Sequence, residues 1–186
     1  DGKLLKIDNE KVVIAFNKPK NVITSVYDPF NRKIVMDYIQ YKKRLVPVGR
    51  LDKNSTGLLL LTNDGDLHYH LTHPKNEVIR EYDVSIDRII KPREIHRTKK
   101  GVSIGHGEIG KAKVVNQKII KGRVQVRLIL KQGKKREIRR IFRTLKITLY
   151  DLKRVSFAGV ELNELKESEY RILNQKEINH LKLRYL

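Results

Sequence analysis

A chain of 186 residues with 41 lysines and arginines against 21 aspartates and glutamates carries a formal net charge of +20, and 39% of its residues are hydrophobic. That is enough apolar material for a core, and the charge points to a folded surface that meets a polyanion, most simply nucleic acid. The absence of cysteine excludes disulfides and cysteine zinc sites, and no apolar run approaches the ~20 residues of a membrane span.

A lysine-rich bias serving only solubility would give the same total. Here the charges run through segments that also carry apolar periodicity instead of collecting in one tail. Residues 1–10 are polar with acids interspersed, so no signal peptide is read there and a cytoplasmic protein is the expectation.

In chain order, Lys11–Asn17 reads as a buried strand closed by Lys18-Pro19. Val22–Val26 is expected to pair with it across a turn at Asn21, a residue type that tolerates left-handed backbone. Lys33–Tyr41 sets Ile34, Val35, Tyr38 and Ile39 on one helical stripe. Strands follow at Arg44–Val48 and Gly57–Thr62, then a turn at Asn63-Asp64-Gly65 and a short helix over Asp66–Thr72 that Pro74 stops. Val78–Ile86 alternates as a strand, and Lys91–Lys99 is a helix with Pro92 in its first turn. Gly101–Gly110 is rich in loop residues, and Lys113–Ile119 with Arg123–Leu130 form a hairpin through Lys121-Gly122. Arg136–Lys146 is the clearest helix, with Ile138, Ile141, Phe142 and Leu145 on one face. Strands at Ile147–Leu152 and Arg154–Val160 and a helix near Gln175–Leu183 complete the chain. Strands outnumber helices and connections are short, so the expected class is α+β with a mixed, mainly antiparallel sheet.

Asp52 stands on a glycine-punctuated loop before a long apolar run, with Arg50 and Lys53 beside it. A carboxylate set among cations can serve as nucleophile or base. Spacing alone is met better by an ordinary loop aspartate that caps a turn. Asp64 and Asp66 have the Asp-x-Asp spacing of some Mg²⁺ sites, but the turn reading accounts for them and no third carboxylate is well spaced. His68, His70 and His73 lack supporting ligands, and i, i+2 spacing on a helix turns the first two apart, so no metal is expected. Lys134, Lys135, Arg136, Arg139, Arg140, Arg143 and Lys146 make the densest basic patch, suited to phosphate contact. Arg139 adjoins the apolar stripe and can lean into a cleft towards an acid. Tyr82 reads as a strand tyrosine that packs, and near a cleft the same ring could stack on an extruded base.

Together these pieces resemble, in order and over nearly the whole chain, the catalytic domain of the pseudouridine synthases that modify ribosomal RNA, in the group named for the small-subunit enzyme. The resemblance rests on NKPKNVITSVYD (Asn17–Asp28), GRLDKNSTGLLLLTNDGDL (Gly49–Leu67), REYDV (Arg80–Val84), QGKKREIRRIF (Gln132–Phe142) and LKRVSFAGVEL (Leu152–Leu162). It implies the pseudouridine synthase fold, with helices flanking the sheet and a basic cleft at its centre. Asp52 then aligns with the essential aspartate, Tyr82 with the tyrosine that stacks on the target uracil, and Arg139 with the arginine paired to the aspartate. Leu152 would line the pocket and Arg50 would help flip the nucleotide. Lys18, Arg136, Arg140 and Arg143 complete the expected substrate-binding set.

The resemblance further implies isomerisation of a uridine in ribosomal RNA, flipped from a stem-loop, a reaction needing no cofactor, and a monomer is the simplest expectation. Asp28–Val35 looks more like members acting on large-subunit (23S) RNA. Residues 1–10 are expected to be a remnant of an S4-type RNA-binding domain or a linker, and 11–186 the catalytic domain, two lobes sharing one sheet. The sequence departs from the family pattern with Asn21 for glycine, Ser55 for threonine and Glu137 for glutamine, the last placing a negative charge beside Arg139. Competing classes are a non-catalytic RNA-binding protein of the same fold and a Mg²⁺ nuclease built on Asp64 and Asp66.

Overall fold

The apolar runs of the sequence become strands buried on both faces. A computed structural model describes residues 10–186; the expectation for a preceding-domain remnant falls, Glu10 apart, outside the described residues. In β1 (Val13–Lys18), Ile14 and Phe16 enter one hydrophobic cluster while Val13 and Ala15 enter another on the opposite face. In β3 (Thr56–Thr62), Leu59 and Leu61 face the first cluster and Leu58 and Leu60 the second. A strand covered on both sides needs apolar residues at every position, which is why neither segment alternates.

A nine-stranded sheet runs through the molecule in the order β11-β1-β3-β9-β4-β8-β7, with β2 (Val46–Pro47) on β3 and β10 (Val160–Glu161) on β9. The other members are β4 (Arg80–Ile86), β7 (Lys113–Ile120), β8 (Arg123–Leu130), β9 (Leu149–Phe157) and β11 (Tyr170–Ile172). All pairings in it are antiparallel except β3 with β9, a parallel contact formed by Thr56↔Lys153 and Gly57↔Arg154. Helix α3 (Glu137–Thr144) packs Ile138, Ile141 and Phe142 into the first cluster. Helices α1 (Gly65–Thr72) and α4 (Gln175–Tyr185) cover the other face through Leu67, Leu71 and Leu181. The architecture is the expected α+β class. No helix among the described residues is long and apolar enough to cross a membrane.

Several local expectations are corrected. Val22–Val26 does not pair with β1; its one bridge is Ile23 with Ile34, because the neighbour of β1 on one side is β3 and on the other β11. The turn at Asn21 is as read, with φ 66°. The stripe over Lys33–Tyr41 yields only a 3-10 turn at Val35–Tyr38. The two strands read between Ile147 and Val160 are one, β9, followed by a turn at Ala158-Gly159 and β10. Gly101–Gly110 holds a small hairpin of β5 (Val102–Ser103) and β6 (Ile109–Gly110). Strand β11 was not anticipated, since three residues carry no periodicity.

Helix α3 ends where the chain turns left-handed at Lys146, φ 54°. The Ile147 amide donates to Phe142 O at 2.9 Å and the Lys146 amide to Arg143 O at 3.1 Å, a Schellman closure that satisfies two terminal carbonyls. Helix α2 (Pro92–Lys100) is closed at its start by Glu94, whose carboxylate accepts from the Lys91 amide at 2.8 Å. Arg88 also donates twice to Glu94, both bonds at 2.8 Å, and chiefly through these bonds holds its pKa down at about 2. A carboxylate whose folded pKa is depressed stabilises the fold above its unfolded value and loses that contribution as pH falls through the folded value. Glu94→Gln is therefore expected to cost about 1–2 kcal/mol at neutral pH. Urea denaturation should find the gap closing between pH 4.5 and about 2.

Candidate active site

The loop between β2 and β3 carries Asp52 and is fixed at each neighbouring residue. Gly49 turns the chain with φ 69°, and the Val48 amide donates to Leu60 O at 2.8 Å. Leu51 is buried, its amide donating to Thr24 Oγ1 at 3.2 Å while that hydroxyl donates to Leu51 O at 2.8 Å. Lys53 O accepts the Asn21 amide at 2.8 Å, and Asp52 O accepts the Ser55 amide at 3.0 Å. The side chain of Asp52, one third exposed, is thereby presented to the cleft beside that of Arg50.

Two guanidiniums meet it. Arg139 Nε and Arg136 Nη1 each lie 3.6 Å from Asp52 Oδ2. Arg139 is itself pinned, with Nη2 donating to Asn54 O and Ser55 Oγ at 3.3 Å each, so the hydroxyl retained at Ser55 has a use. Burial pulls the pKa of Arg139 below its ordinary value, with Asp52 acting in the opposite direction. Arg136 reaches Asp52 from a left-handed backbone position, φ 53°, at the N-cap of α3. That conformation costs a non-glycine residue roughly 1 kcal/mol.

Other lining residues come from the other half of the sheet. Tyr82 on β4 and Leu152 on β9 are both buried, and adjacent register pairs, Tyr82↔Arg154 and Val84↔Leu152, set them diagonally on one face. Arg50, Asp52, Tyr82, Arg136, Arg139 and Leu152 line one cleft of about 940 Å³. Apolar and aromatic side chains in one cleft with a carboxylate held by two cations can bind a planar ring and act on the atom attached to it.

The cleft omits three of the expected binding residues. Lys18 is fully buried, its ammonium donating to Pro19 O and Val22 O at 2.8 Å and reaching Lys53 O at 3.4 Å. It braces the Asn-Lys-Pro turn beneath the Asp52 loop, and burial lowers its pKa to about 8, partly offset by Asp52. Arg140 lies one residue, and so about 100° of helix, away from Arg139. Its guanidinium is spent on Ile104 O at 2.8 Å, Gly105 O at 3.0 Å and Glu108, holding the β5–β6 hairpin. Arg143 is exposed on α3 and is not among the cleft residues.

Glu137 does not sit against Arg139 as a free charge. It is buried, its two oxygens accept the Lys111 amide at 3.0 Å and the Lys134 amide at 3.2 Å, and burial raises its pKa. Asp64 caps α1 by accepting the Leu67 amide at 3.3 Å and pairs with Lys11 at 3.4 Å. Among the described residues no group of three or more His, Cys, Asp or Glu is arranged to hold a metal.

Two cleft arginines escaped the sequence reading. Arg154 is buried on β9, its Nε donating to Leu58 O at 2.7 Å and its guanidinium lying 4.7 Å over Phe157. Arg80 stacks on the same ring at 5.2 Å and donates to Val78 O, Lys131 O and Gln132 O at 2.8 to 3.2 Å. It thus ties β4 to the loop that enters α3. Both stand in segments already singled out, REYDV and LKRVSFAGVEL, but a basic residue in a strand gives no sign of pointing inwards.

Comparison with known proteins agrees with this geometry. A family model described as RNA pseudouridylate synthase matches residues 12–144, more than half of the chain. The chain is 35% identical over 178 residues to an uncharacterized RNA pseudouridine synthase of Borreliella burgdorferi, covering 95% of this chain and 70% of that one. It is 31% identical over 182 residues to ribosomal large subunit pseudouridine synthase B of Bacillus subtilis, covering 96% and 75%. A solved structure titled as a pseudouridylate synthase superposes with a TM-score of 0.82 at 29% identity, over 92% of this chain and 74% of that one. The chain belongs to the RNA pseudouridine synthase family, whose members are isomerases.

Proposed function

We propose that this chain converts a uridine of ribosomal RNA, in the large subunit, to pseudouridine, with Asp52 as the carboxylate that starts the reaction. The observation that carries the reading is Asp52, held by Arg139 and Arg136, lining one basic cleft together with Tyr82 and Leu152. The choice of the large subunit is supported by the printed name of the Bacillus subtilis relative and by the look of Asp28–Val35.

The reaction breaks the C1′–N1 bond, turns the uracil and joins C5 to C1′. The proton on C5 leaves and N1 gains one, so no electrons are lost and no water is consumed. Asp52 begins this either by attacking C1′ or by removing the 2′ proton. Arg139 orients the carboxylate, Tyr82 stacks on the base, Arg50 helps turn it out of the helix, and Arg136 passes from Asp52 to a phosphate as RNA arrives. Flipping costs a few kcal/mol, which phosphate contacts on a chain of net charge +20 offset. The chain acts in this scheme as a monomer in the cytoplasm, on a uridine in a stem-loop.

The test is tritium release from ribosomal RNA labelled at C5 of uridine, prepared from cells lacking the enzyme, in EDTA. Release with the RNA left at full length is the expected result. No release from the RNA of either subunit overturns the proposal, and strand cleavage that EDTA abolishes would favour a nuclease. In the same assay Arg139→Ala is expected to lower kcat by about 10²–10³-fold with KM little changed, because the carboxylate loses its orientation. Arg139→Lys should recover only part of that, since one ammonium cannot hold Asp52, Asn54 and Ser55 together.

A further inference from the structure

Tyr27 and Phe30 are 73% and 74% exposed, the two most exposed aromatic rings among the described residues. Single exposed apolar residues need no explanation. Two rings three residues apart on a loop that is locked in place do.

The lock is explicit. The Asp28 carboxylate accepts the Phe30 amide at 3.1 Å, the Arg32 amide at 3.0 Å and the Arg32 Nε at 3.1 Å. Asn31 supplies a left-handed step, φ 51°, and the Arg32 guanidinium lies 5.0 Å from the centroid of the Phe30 ring. Ser25 Oγ accepts the Tyr27 amide at 3.2 Å. At the root, the Ile23 amide donates to Lys33 O at 2.9 Å and the Val35 amide to Ile23 O at 3.0 Å, closing the loop on itself. The next residue inside that closure, Thr24, makes the paired hydroxyl bonds to Leu51, the residue before Asp52. The rings are therefore held at a fixed offset from the catalytic loop.

Resting on the reading of this chain as an RNA-modifying enzyme, we propose that Tyr27 and Phe30 are a stacking platform for unpaired bases of the RNA flanking the target uridine. Charge complementarity identifies the occupant. Arg32 and the one acid within the loop, Asp28, neutralise each other, Lys20 shares the exposed Asp151 at 3.4 Å, and the exposed Lys33 next to the rings leaves the loop with a net positive charge on a chain of +20. Cations that follow a phosphate chain, interleaved with rings, suit single-stranded nucleic acid, because every unpaired base offers a ring face. A duplex keeps those faces stacked on each other.

The experiment compares wild type with Tyr27→Leu and Phe30→Leu, which keep apolar bulk and lose the ring. The probe is a twelve-residue oligouridylate carrying one 2-aminopurine, with an RNA duplex of equal length as control. Wild type is expected to quench the 2-aminopurine on binding. Each variant should bind the single strand about tenfold more weakly with the quench lost, while duplex binding and the slope of affinity against salt stay unchanged. In tritium release the variants should raise KM and leave kcat at saturating RNA as it was. Unchanged single-strand affinity, or an equal loss on the duplex, overturns the proposal. So does a dimer of wild type that the two changes dissolve, since the rings would then serve a second copy of the chain. The quench is read without catalysis, so absence of tritium release by wild type would sink the isomerase reading and leave the stacking result to stand alone.

Discussion

Asp52→Asn is expected to reduce tritium release by on the order of 10⁴-fold, the scale on which loss of a carboxylate acting in the chemistry is felt. The amide has nearly the same shape but can neither attack C1′ nor take the 2′ proton. Arg139 and Arg136, each 3.6 Å from the lost charge, then face the cleft without their counter-ion. RNA should accordingly bind as well as before or more tightly, because a negative charge has been removed from a surface that receives phosphates. Filter binding and tritium release on one preparation check both halves. Residual activity within tenfold of wild type would remove Asp52 from the chemistry and leave the family membership of the chain standing. Equal loss of binding and activity would instead assign Asp52 to holding the loop together.

Gly57→Ala is expected to be the most damaging single methyl in the molecule. Gly57 lies in β3 at φ 99°, and a β-carbon there would collide with the carbonyl of Arg154 and come within 2.8 Å of its amide nitrogen. That contact is half of the parallel pairing between β3 and β9, the junction at which the two halves of the sheet meet. The site straddles it, with the Asp52 loop running into β3 and Tyr82 and Leu152 on β4 and β9. We expect a loss of about 3–5 kcal/mol, from left-handed strain added to a steric clash that no side-chain rotation relieves. Activity should fall by more than the unfolded fraction explains, since parting the strands widens the cleft. Gly49→Ala is the control. It shares a positive φ of 69° but has nothing within 4 Å of the added carbon, so it should cost only the strain, about 1 kcal/mol. Urea midpoints for the two variants separate the contributions, and equal midpoints would show that the close approach at Gly57 carries no weight.

Where the sequence was informative, the information was local. Alternation of Val124, Val126, Leu128 and Leu130 gave β8 its buried face, and the stripe of Ile138, Ile141 and Phe142 gave α3 its own. Pro92 marked the start of α2 and Asn21 a left-handed turn because each residue type limits the backbone directly. Local signals failed where the partner was remote. Nothing within Val22–Val26 says that β1 is already flanked by β3 and β11, so a plausible strand became a loop. The three residues of β11 take their conformation from β1, more than 150 positions away, and have no pattern of their own.

The candidate site divides in the same way. Its residue types were legible: an aspartate among cations, a strand tyrosine, a helix of arginines, all inside motifs that resemble one family. Which arginines turn inwards was not. Arg136, Arg139, Arg140 and Arg143 look alike in sequence, yet two meet Asp52, one braces the β5–β6 hairpin and one faces solvent. Lys18 shows the same limit, for it serves backbone carbonyls under the Asp52 loop instead of lining the cleft. The sequence by itself determined composition, charge, the apolar periods and the order of the motifs, because these depend on residue type and on neighbours a few positions apart. Only the tertiary structure decided which charges share a cleft, because ion pairs across 84 or 87 positions are set by how β3, β9 and α3 pack, and packing is a property of the whole chain.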